Sequence, residues 1–368
     1  MKYLFVAPQV CSPWSEGRKL LVADLVEELS SRDEVFVQTS YSREEETHFS
    51  TPFEAVACSS RPGHLIAMLR HLPGRISAFS PDIVCSFPYG TFRGLYGFVN
   101  SAYMTRVDTL CSRANVPCLT VMYSIDEYTT PERLQKRVSH LAVAHDPDWR
   151  GYTLDAGIKT EEWPAPSRNS ADTSTLLFMT GLAQPTRERL NYMLEVRGLR
   201  VLLQAGRKLA DGGLKLIIAA PMLDDADIRE RLMTHPSNAW PADRIETRGA
   251  VAKPDIFRTA DFLVFPYLTP ITRFVPTSAI ESMLAGTPVV MSDIPAFRAL
   301  SDHGRAGFLF RNGDADDLAR VVLAACADRG VRTAMSERAR GHVKKSFSIR
   351  NTAAQLRDIA GEILICPA

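Results

Sequence analysis

Short apolar runs alternate with amphipathic stretches along the whole chain, and this alternation predicts repeated strand–helix units. In the first half, Tyr3–Ala7, Val35–Gln38, Ile83–Ser86, Leu119–Met122 and Leu141–Ala144 read as buried strands. Between them Leu20, Leu21, Leu25 and Leu29 recur at helical spacing, and so do Leu65, Met68, Leu69 and Leu72. Pro73-Gly74 is expected to end the second of these helices. The segment from Glu161 to Ser170 is polar and rich in Pro and Ser, as an interdomain linker would be. The pattern then restarts, with strands predicted at Leu176–Met179, Leu216–Ala219, Phe262–Phe265, Val289–Met291 and Phe308–Phe310. Helices are expected near Leu199–Leu209, Asp227–Met233, Thr277–Ala285 and Ala315–Ala325, and two more close the chain over Val331–Lys344 and Arg350–Ile363. Strand–helix–strand repetition implies parallel sheets with right-handed crossovers. The expected fold class is α/β, with two doubly wound domains in tandem facing a cleft, and ligands held beyond the carboxyl ends of the strands.

Composition narrows this picture. At roughly 150 residues per domain, the chain of 368 residues holds about two domains. Hydrophobic residues at 45% and charged residues at 23% exclude a disordered chain, a collagen and a coiled coil. With 43 Lys+Arg against 42 Asp+Glu the net charge is +1, which argues against a nucleic-acid partner. No apolar run approaches the ~18 residues of a membrane span, and Tyr3–Ala7 before Pro8 is too short for a signal peptide. Seven scattered cysteines without a C-x-x-C pair read as reduced thiols in a cytoplasmic protein.

The most informative stretch runs from Phe265 to Asp293. A strand ends at Pro266, a loop follows, a helix starts near Thr277-Ser278 and ends at Gly286, and another strand begins at Val289. Thr277 and Ser278 are natural helix caps, and Pro276, which lacks an N–H, suits the start of the helix. Free N–H groups there form an anion site at a strand end. Glu281 lies one turn into the helix, where a carboxylate accepts two hydrogen bonds from vicinal hydroxyls such as those of a ribose. A nucleoside diphosphate satisfies both features; a well-capped helix with a solvated Glu is the plainer reading.

Pro276, Glu281 and the run Leu284–Asp293 resemble the donor-site motif of retaining GT-B glycosyltransferases of the family 4 type. The stretches Arg248–Val251, Phe257–Pro266, Ala306–Leu318 and Phe347-Ser348 are similar to further parts of that family. The resemblance implies two Rossmann-like domains, an acceptor-side domain over 1–165, a nucleotide-sugar donor domain over 166–345, and a final helix over 346–368 that crosses back to the first domain. It implies a hexosyltransferase-type enzyme that needs no metal or other cofactor. A sugar would pass from a nucleoside-diphosphate donor to an acceptor hydroxyl, with the leaving phosphates stabilising an oxocarbenium-like transition state. In the family's Glu-x7-Glu motif the second Glu holds the ribose, and Glu281 matches it.

Three positions depart from the family. Arg273 stands where the first motif Glu would contact the sugar, and a guanidinium accepts no hydrogen bonds but pairs with phosphates or carboxylates. Leu182 follows Gly181 where an Arg is usual, so the phosphate clamp falls to Arg187, Arg189 and Arg197 as a group; Arg197-Gly198 resembles the family's displaced Lys-Gly helix start. The middle strand of the first half leads into Tyr123, Ser124 and Asp126 and has no His, leaving Tyr123 and Asp126 as candidates at the cleft. Gly17 and Arg18 open the first helix, where the family's Gly-rich loop approaches acceptor and donor phosphates.

Asp225-Ala-Asp227 and Asp314-Ala-Asp316 mimic a D-x-D metal motif, but both stand where a helix starts, and capping explains them without a metal. His140 and His145 match no metal spacing. The segment His64–Arg75 mixes bases with apolar residues, which allows weak peripheral contact with the inner membrane face; packing on its own sheet is the competing reading. A nucleotide-sugar 2-epimerase and a non-catalytic nucleotide-sugar-binding protein remain alternatives on the same fold. The nucleotide base, the sugar, the acceptor class and the oligomeric state stay open.

Overall fold

A computed structural model describes residues 1–10, 17–41, 49–58, 61–89, 94–123, 130–143, 149–155, 157–161, 163, 175–251, 256–257, 259–268 and 275–365. The chain divides into two compact units, Met1–Lys159 with Ser346–Ala368, and Thr160–Pro270 with Val275–Lys345.

The first unit is built on β1 (Lys2–Ala7), whose last five residues are all buried. Such a run suits a parallel strand covered on both faces. Alternation assigns the two faces: Tyr3 and Phe5 join one apolar cluster with Leu21 and Leu25, whereas Leu4 and Val6 join the other with Met68 and Met104. Around β1 the chain adds α1 (Gly17–Ser30), β2 (Glu34–Tyr41), β3 (Phe53–Ala57), α2 (Arg61–Phe79), β4 (Ile83–Ser86), α3 (Gly94–Arg113), β5 (Cys118–Met122), α4 (Pro131–Gln135), β6 (His140–Val143) and β7 (Tyr152–Thr153). The strands are parallel in the order β3-β2-β1-β4-β5-β6-β7. The order reverses between β1 and β4, with Tyr3 beside both Val35 and Ile83.

Helix α2 does not stop at Pro73-Gly74 but runs on to Phe79. Leu72 and Ile76 on either side of Pro73 are buried, and this packing outweighs the one backbone bond that proline removes. Leu65, Met68, Leu72 and Ile76 all face the unit's own core, so the apolar stripe once open to a membrane-surface reading is used internally; Ile66 stays exposed.

The closing helix Ile349–Ile365 packs against α1 in this same unit, with Ile349, Ala353, Leu356 and Ile363 inside the first apolar cluster. Arg357 Nε donates to Asp33 Oδ2 at 2.7 Å. Thr352 is fully buried; its Oγ1 donates to the Asp155 carbonyl at 2.6 Å and accepts from the Gly157 N–H at 2.9 Å. Thr352→Val removes both bonds, although the Gly157 N–H still donates to the Asp155 carbonyl at 3.0 Å, and at about 0.5–1.5 kcal/mol per bond it should cost about 1–3 kcal/mol. The check is a lower urea midpoint at an unchanged slope.

His140, the first residue of β6, is buried beside Tyr152, with ring centroids 6.3 Å apart. Burial holds it below its ordinary value of 6.5, against the opposite pull of Asp108. The unfolded chain therefore takes up the proton first as pH falls. The stability tied to His140 is complete above pH 6.5 and is lost as pH drops toward the folded value. His140→Gln should flatten the fall in stability between pH 7 and 5.5, by up to about 1.4 kcal/mol per pH unit. Parallel slopes for variant and wild type would refute this.

The second unit repeats the plan with β8 (Thr175–Met179), α5 (Arg187–Asn191), a π-helical turn (Tyr192–Val196), α6 (Leu199–Gln204), α7 (Gly206–Asp211), β9 (Lys215–Ala219), α8 (Ala226–Met233), β10 (Ile245–Arg248) and β11 (Phe262–Phe265). The helix Thr277–Leu284, β12 (Val289–Ser292), the helix Pro295–Leu300, β13 (Phe308–Phe310) and the helices Ala315–Ala327 and Arg329–Ser346 follow. Its parallel strands lie in the order β10-β9-β8-β11-β12-β13. The single helix expected over Leu199–Leu209 is divided at Ala205. Trp240 Nε1 takes the Leu202 carbonyl, which in a continuous helix would serve the Gly206 N–H.

Candidate functional site

The second sheet reverses its order between β8 and β11, which pair through Leu176 and Phe262. A crevice outside the carboxyl ends at such a point is where open α/β sheets take ligands. The candidate donor residues fall on the segments that leave these strand ends.

Past β11, the chain continues through Pro266 and Tyr267 toward the helix Thr277–Leu284. The loop leaving β11 is anchored from two neighbours: Ser292 Oγ, at the end of β12, donates to the Tyr267 carbonyl at 2.7 Å, and Asn312 Nδ2 donates to the Leu268 carbonyl at 2.8 Å. Pro276 itself takes the cap position of the helix, and no side chain caps it. Thr277 and Ser278 are thus the first two helical residues rather than caps, because the proline fixes the extended backbone one position earlier. Their half-exposed position leaves first-turn N–H groups without a side-chain cap, as an anion site requires. Glu281 lies one turn further and is 6% exposed. The helix closes as expected at Gly286, with φ 76°. Its N–H donates to the Met283 carbonyl at 3.2 Å and that of Thr287 to Ser282 at 2.9 Å, which is a Schellman ending.

Past β8, Gly181 is exposed, and α5 starts at Arg187 with Thr186 Oγ1 accepting from the Arg189 N–H at 3.2 Å. Arg187 and Arg189 are both exposed on this short helix. Arg187 lies within electrostatic reach of Asp227, whose carboxyl is held below the usual range chiefly by its hydrogen bond to Arg231. Arg197 occupies a different place. The π-helical turn before it brings the Val196 carbonyl to the Leu268 N–H at 3.2 Å, and so sets Arg197 against the carboxyl end of β11. Its guanidinium lies over two rings, 4.6 Å from the centre of Tyr267 and 5.7 Å from that of Tyr192, and Nη1 donates to the Tyr267 hydroxyl. Burial pushes the Tyr267 phenol up, while Arg197 pulls it down. The structure therefore separates the three arginines that the sequence grouped, and only Arg197 is seated beside β11. The tyrosines escaped the sequence reading because Tyr192 and Arg197 are five positions apart, a spacing that meets only in a π turn.

In the first unit, α1 begins at Gly17. Arg18 is 4% exposed, donates to the Pro8 carbonyl at 2.9 Å and the Phe87 carbonyl at 3.3 Å, and lies over Tyr89 at 5.1 Å. Since Pro8 and Phe87 directly follow β1 and β4, Arg18 ties the two strand ends at that sheet's own switch point. Tyr123 follows β5 and is packed in the apolar cluster at 7% exposure. Arg273, Asp126 and His145 lie outside the described residues. Asp225 and Asp314 cap helices, accepting from the Ile228 N–H at 3.1 Å and the Asp317 N–H at 2.9 Å.

Residues 188–328 match the family model described as glycosyl transferases group 1. No curated protein matches the sequence. Among solved structures, sucrose-phosphate synthase from Thermosynechococcus elongatus superposes with a TM-score of 0.72 at 15% identity, over 99% of this chain and 100% of that one. HepE of Anabaena, solved in complex with UDP, gives 0.69 at 15% identity, over 98% and 100%. A glycosyltransferase from Rickettsia africae gives 0.70 at 12% identity, over 100% and 99%. At such identities the likeness is one of fold. Sequence pattern in the second unit and fold across the chain thus agree: the protein has two Rossmann-like domains of the GT-B type and resembles the group 1 glycosyltransferases, consistent with family 4.

Proposed function

We propose that the protein is a retaining glycosyltransferase that moves a hexosyl group from a nucleoside-diphosphate sugar to an acceptor hydroxyl without a metal. The observation that carries this reading is the group 1 pattern over 188–328 on a fold whose β8–β11 switch point is flanked by Arg197 and the Glu281 helix. In this reading Glu281 accepts the ribose hydroxyls. The uncapped first turn at Thr277 and Ser278 meets the diphosphate together with Arg197, and Arg187 and Arg189 add a looser positive field. Fixed cations there act where charge grows as the glycosidic bond breaks. The second unit serves the donor, and the first, through Gly17 and Arg18 at its own switch point, serves the acceptor. Uridine is the first base to try, since HepE is described with UDP-glucose as well as UDP. Among the described residues no helix is long and apolar enough to cross a membrane. A cytoplasmic site of action, with at most peripheral membrane contact, fits the ordinary composition.

Two residues favour a second reading, a non-catalytic nucleotide-sugar-binding protein: Arg273 replaces a motif Glu, and Tyr123 is buried where the family often has a His. The test is release of free nucleoside diphosphate from UDP-glucose, ADP-glucose and GDP-mannose with and without a panel of sugar acceptors. Acceptor-dependent release from one donor is the expected result. Binding without release would support the second reading, and a new sugar nucleotide formed without acceptor would indicate an epimerase.

A further inference from the structure

We infer that the outer face of α2, α3 and α4 docks on an anionic lipid bilayer, with Ile66 and Phe98 as the side chains that enter it. The inference goes beyond the donor-site reading and does not depend on it. The three helices cover one face of the first sheet, where their buried positions share one apolar cluster, from Leu65 and Met68 through Val107 to Leu134. Their outward positions are basic. Residues 61–79, 94–113 and 131–137 together hold eight Lys+Arg and two Asp+Glu, in a chain whose net charge is +1. Arg70, Arg106, Arg113, Arg133, Lys136 and Arg137 are all exposed, and none of them forms an ion pair among the described residues. His71 and Arg75 are used otherwise, since both meet Glu54 of β3, at 3.0 and 2.9 Å. Of the two acids, Asp108 accepts from the N–H and the hydroxyl of Ser139, at 2.9 and 3.0 Å. The opposite face of the sheet differs: α1 and the closing helix Ile349–Ile365 carry four Lys+Arg, with Arg18 and Lys19 buried, against five Asp+Glu.

Ile66 is 52% and Phe98 73% exposed. Each lies in the second turn of its helix. Helices that cross between parallel strands run back against them, so both side chains stand toward the carboxyl end of the sheet. Arg70 follows Ile66 by one turn and Arg106 follows Phe98 by two, so cations and apolar tips share the same helix faces. Exposed cations beside large exposed apolar side chains suit a bilayer surface: anionic headgroups attract the cations, and contact takes the apolar tips out of water. Charge and chemistry together select this occupant. A second copy of the chain would set like charge against like. A nucleic acid would meet the cations but offer an aliphatic side chain such as Ile66 no apolar phase.

The experiment is co-sedimentation of the full chain with phosphatidylcholine vesicles, with and without phosphatidylglycerol, at about 0.1 M and 0.5 M salt. The wild type should pellet with the anionic vesicles only and be released as salt rises. Arg70→Gln, Arg106→Gln and Arg113→Gln combined should lower partitioning about 100-fold, at about fivefold per charge. Phe98→Ser should lower it about tenfold at unchanged net charge. Lys215→Gln, Arg229→Gln and Arg329→Gln combined remove the same charge from exposed positions of the second unit and should leave partitioning within about twofold of wild type. Every position changed is exposed, so the variants keep the fold. Failure of the wild type to bind anionic vesicles would overturn the inference. So would equal losses in the two triple variants, which would reduce the effect to net charge, or full binding by Phe98→Ser, which would leave the bilayer unentered there. A single-stranded oligonucleotide bound through Arg70, Arg106 and Arg113, with vesicles ignored, would assign the face to a nucleic acid instead. No nucleotide sugar enters this measurement, so each outcome leaves the donor-site reading where it stands.

Discussion

Glu281→Ala should weaken nucleotide binding by about 10–100-fold, and the loss should be confined to ligands that carry a ribose. The carboxylate is 6% exposed, one turn into the helix Thr277–Leu284, and this helix follows β11 at the switch point of its sheet. Hydrogen bonds to a charged acceptor contribute about 1.5–3 kcal/mol each, so the net loss of one such bond to a ribose hydroxyl gives that range. Comparing UDP with 2′-deoxy-UDP isolates the contact. The wild type should discriminate between them, and Glu281→Ala should bind both with the same reduced affinity. Glu281→Gln, which keeps the shape and one acceptor, should fall between. If Glu281→Ala retains the full preference for the ribonucleotide, the carboxylate is not at the sugar ring and the donor assignment fails.

The parts of the fold legible in the sequence are those whose burial is complete. Ile83–Ser86 and Phe262–Phe265 have the bounds that the sequence predicts, because each is a short, fully buried apolar run between turn residues. Strands β3 and β10 carry little of that signal: Phe53–Ala57 is half-exposed along its length, and only Ile245 is buried in Ile245–Arg248. Both lie at a sheet edge, where one flank needs no apolar cover. Pro73 misled for the opposite reason, since local propensity pointed to a stop while the buried flanks carried the helix through. At the candidate site, Glu281 and the Gly286 ending follow from local chemistry and could be read directly. The arrangement around Arg197 could not, because it depends on a π turn, on a ring just past β11 and 70 positions away, and on Ser292 from β12. None of these leaves a periodic trace. The sequence groups Arg187 and Arg189 with Arg197, and only the fold distinguishes them: the first two are exposed on α5, whereas Arg197 lies over Tyr267.

Gly198→Ala should be the most destabilising single substitution at the site, at roughly 2–5 kcal/mol. A left-handed backbone costs an L-residue roughly 1–2 kcal/mol, and forcing a methyl into packed structure adds roughly 1–3 kcal/mol. Both apply here: φ is 69°, and the new Cβ would meet the Pro266 carbonyl oxygen at 1.6 Å and its carbon at 2.5 Å. Those atoms are backbone at the end of β11, so no side chain can swing aside, and relief requires α6 to move off the strand end. Gly181→Ala supplies the control, since nothing lies within 4 Å of its added Cβ and its backbone is not left-handed; it should change stability by no more than about 0.5 kcal/mol. Urea unfolding of the two variants measures the difference. Because Arg197 immediately precedes Gly198, the movement that relieves the clash also turns the guanidinium away from Tyr267. Gly198→Ala should therefore lose UDP affinity beyond what its stability explains, even where it remains folded. A variant as stable as wild type would mean that α6 does not start on the Pro266 carbonyl, and the seat of Arg197 would have to be drawn differently.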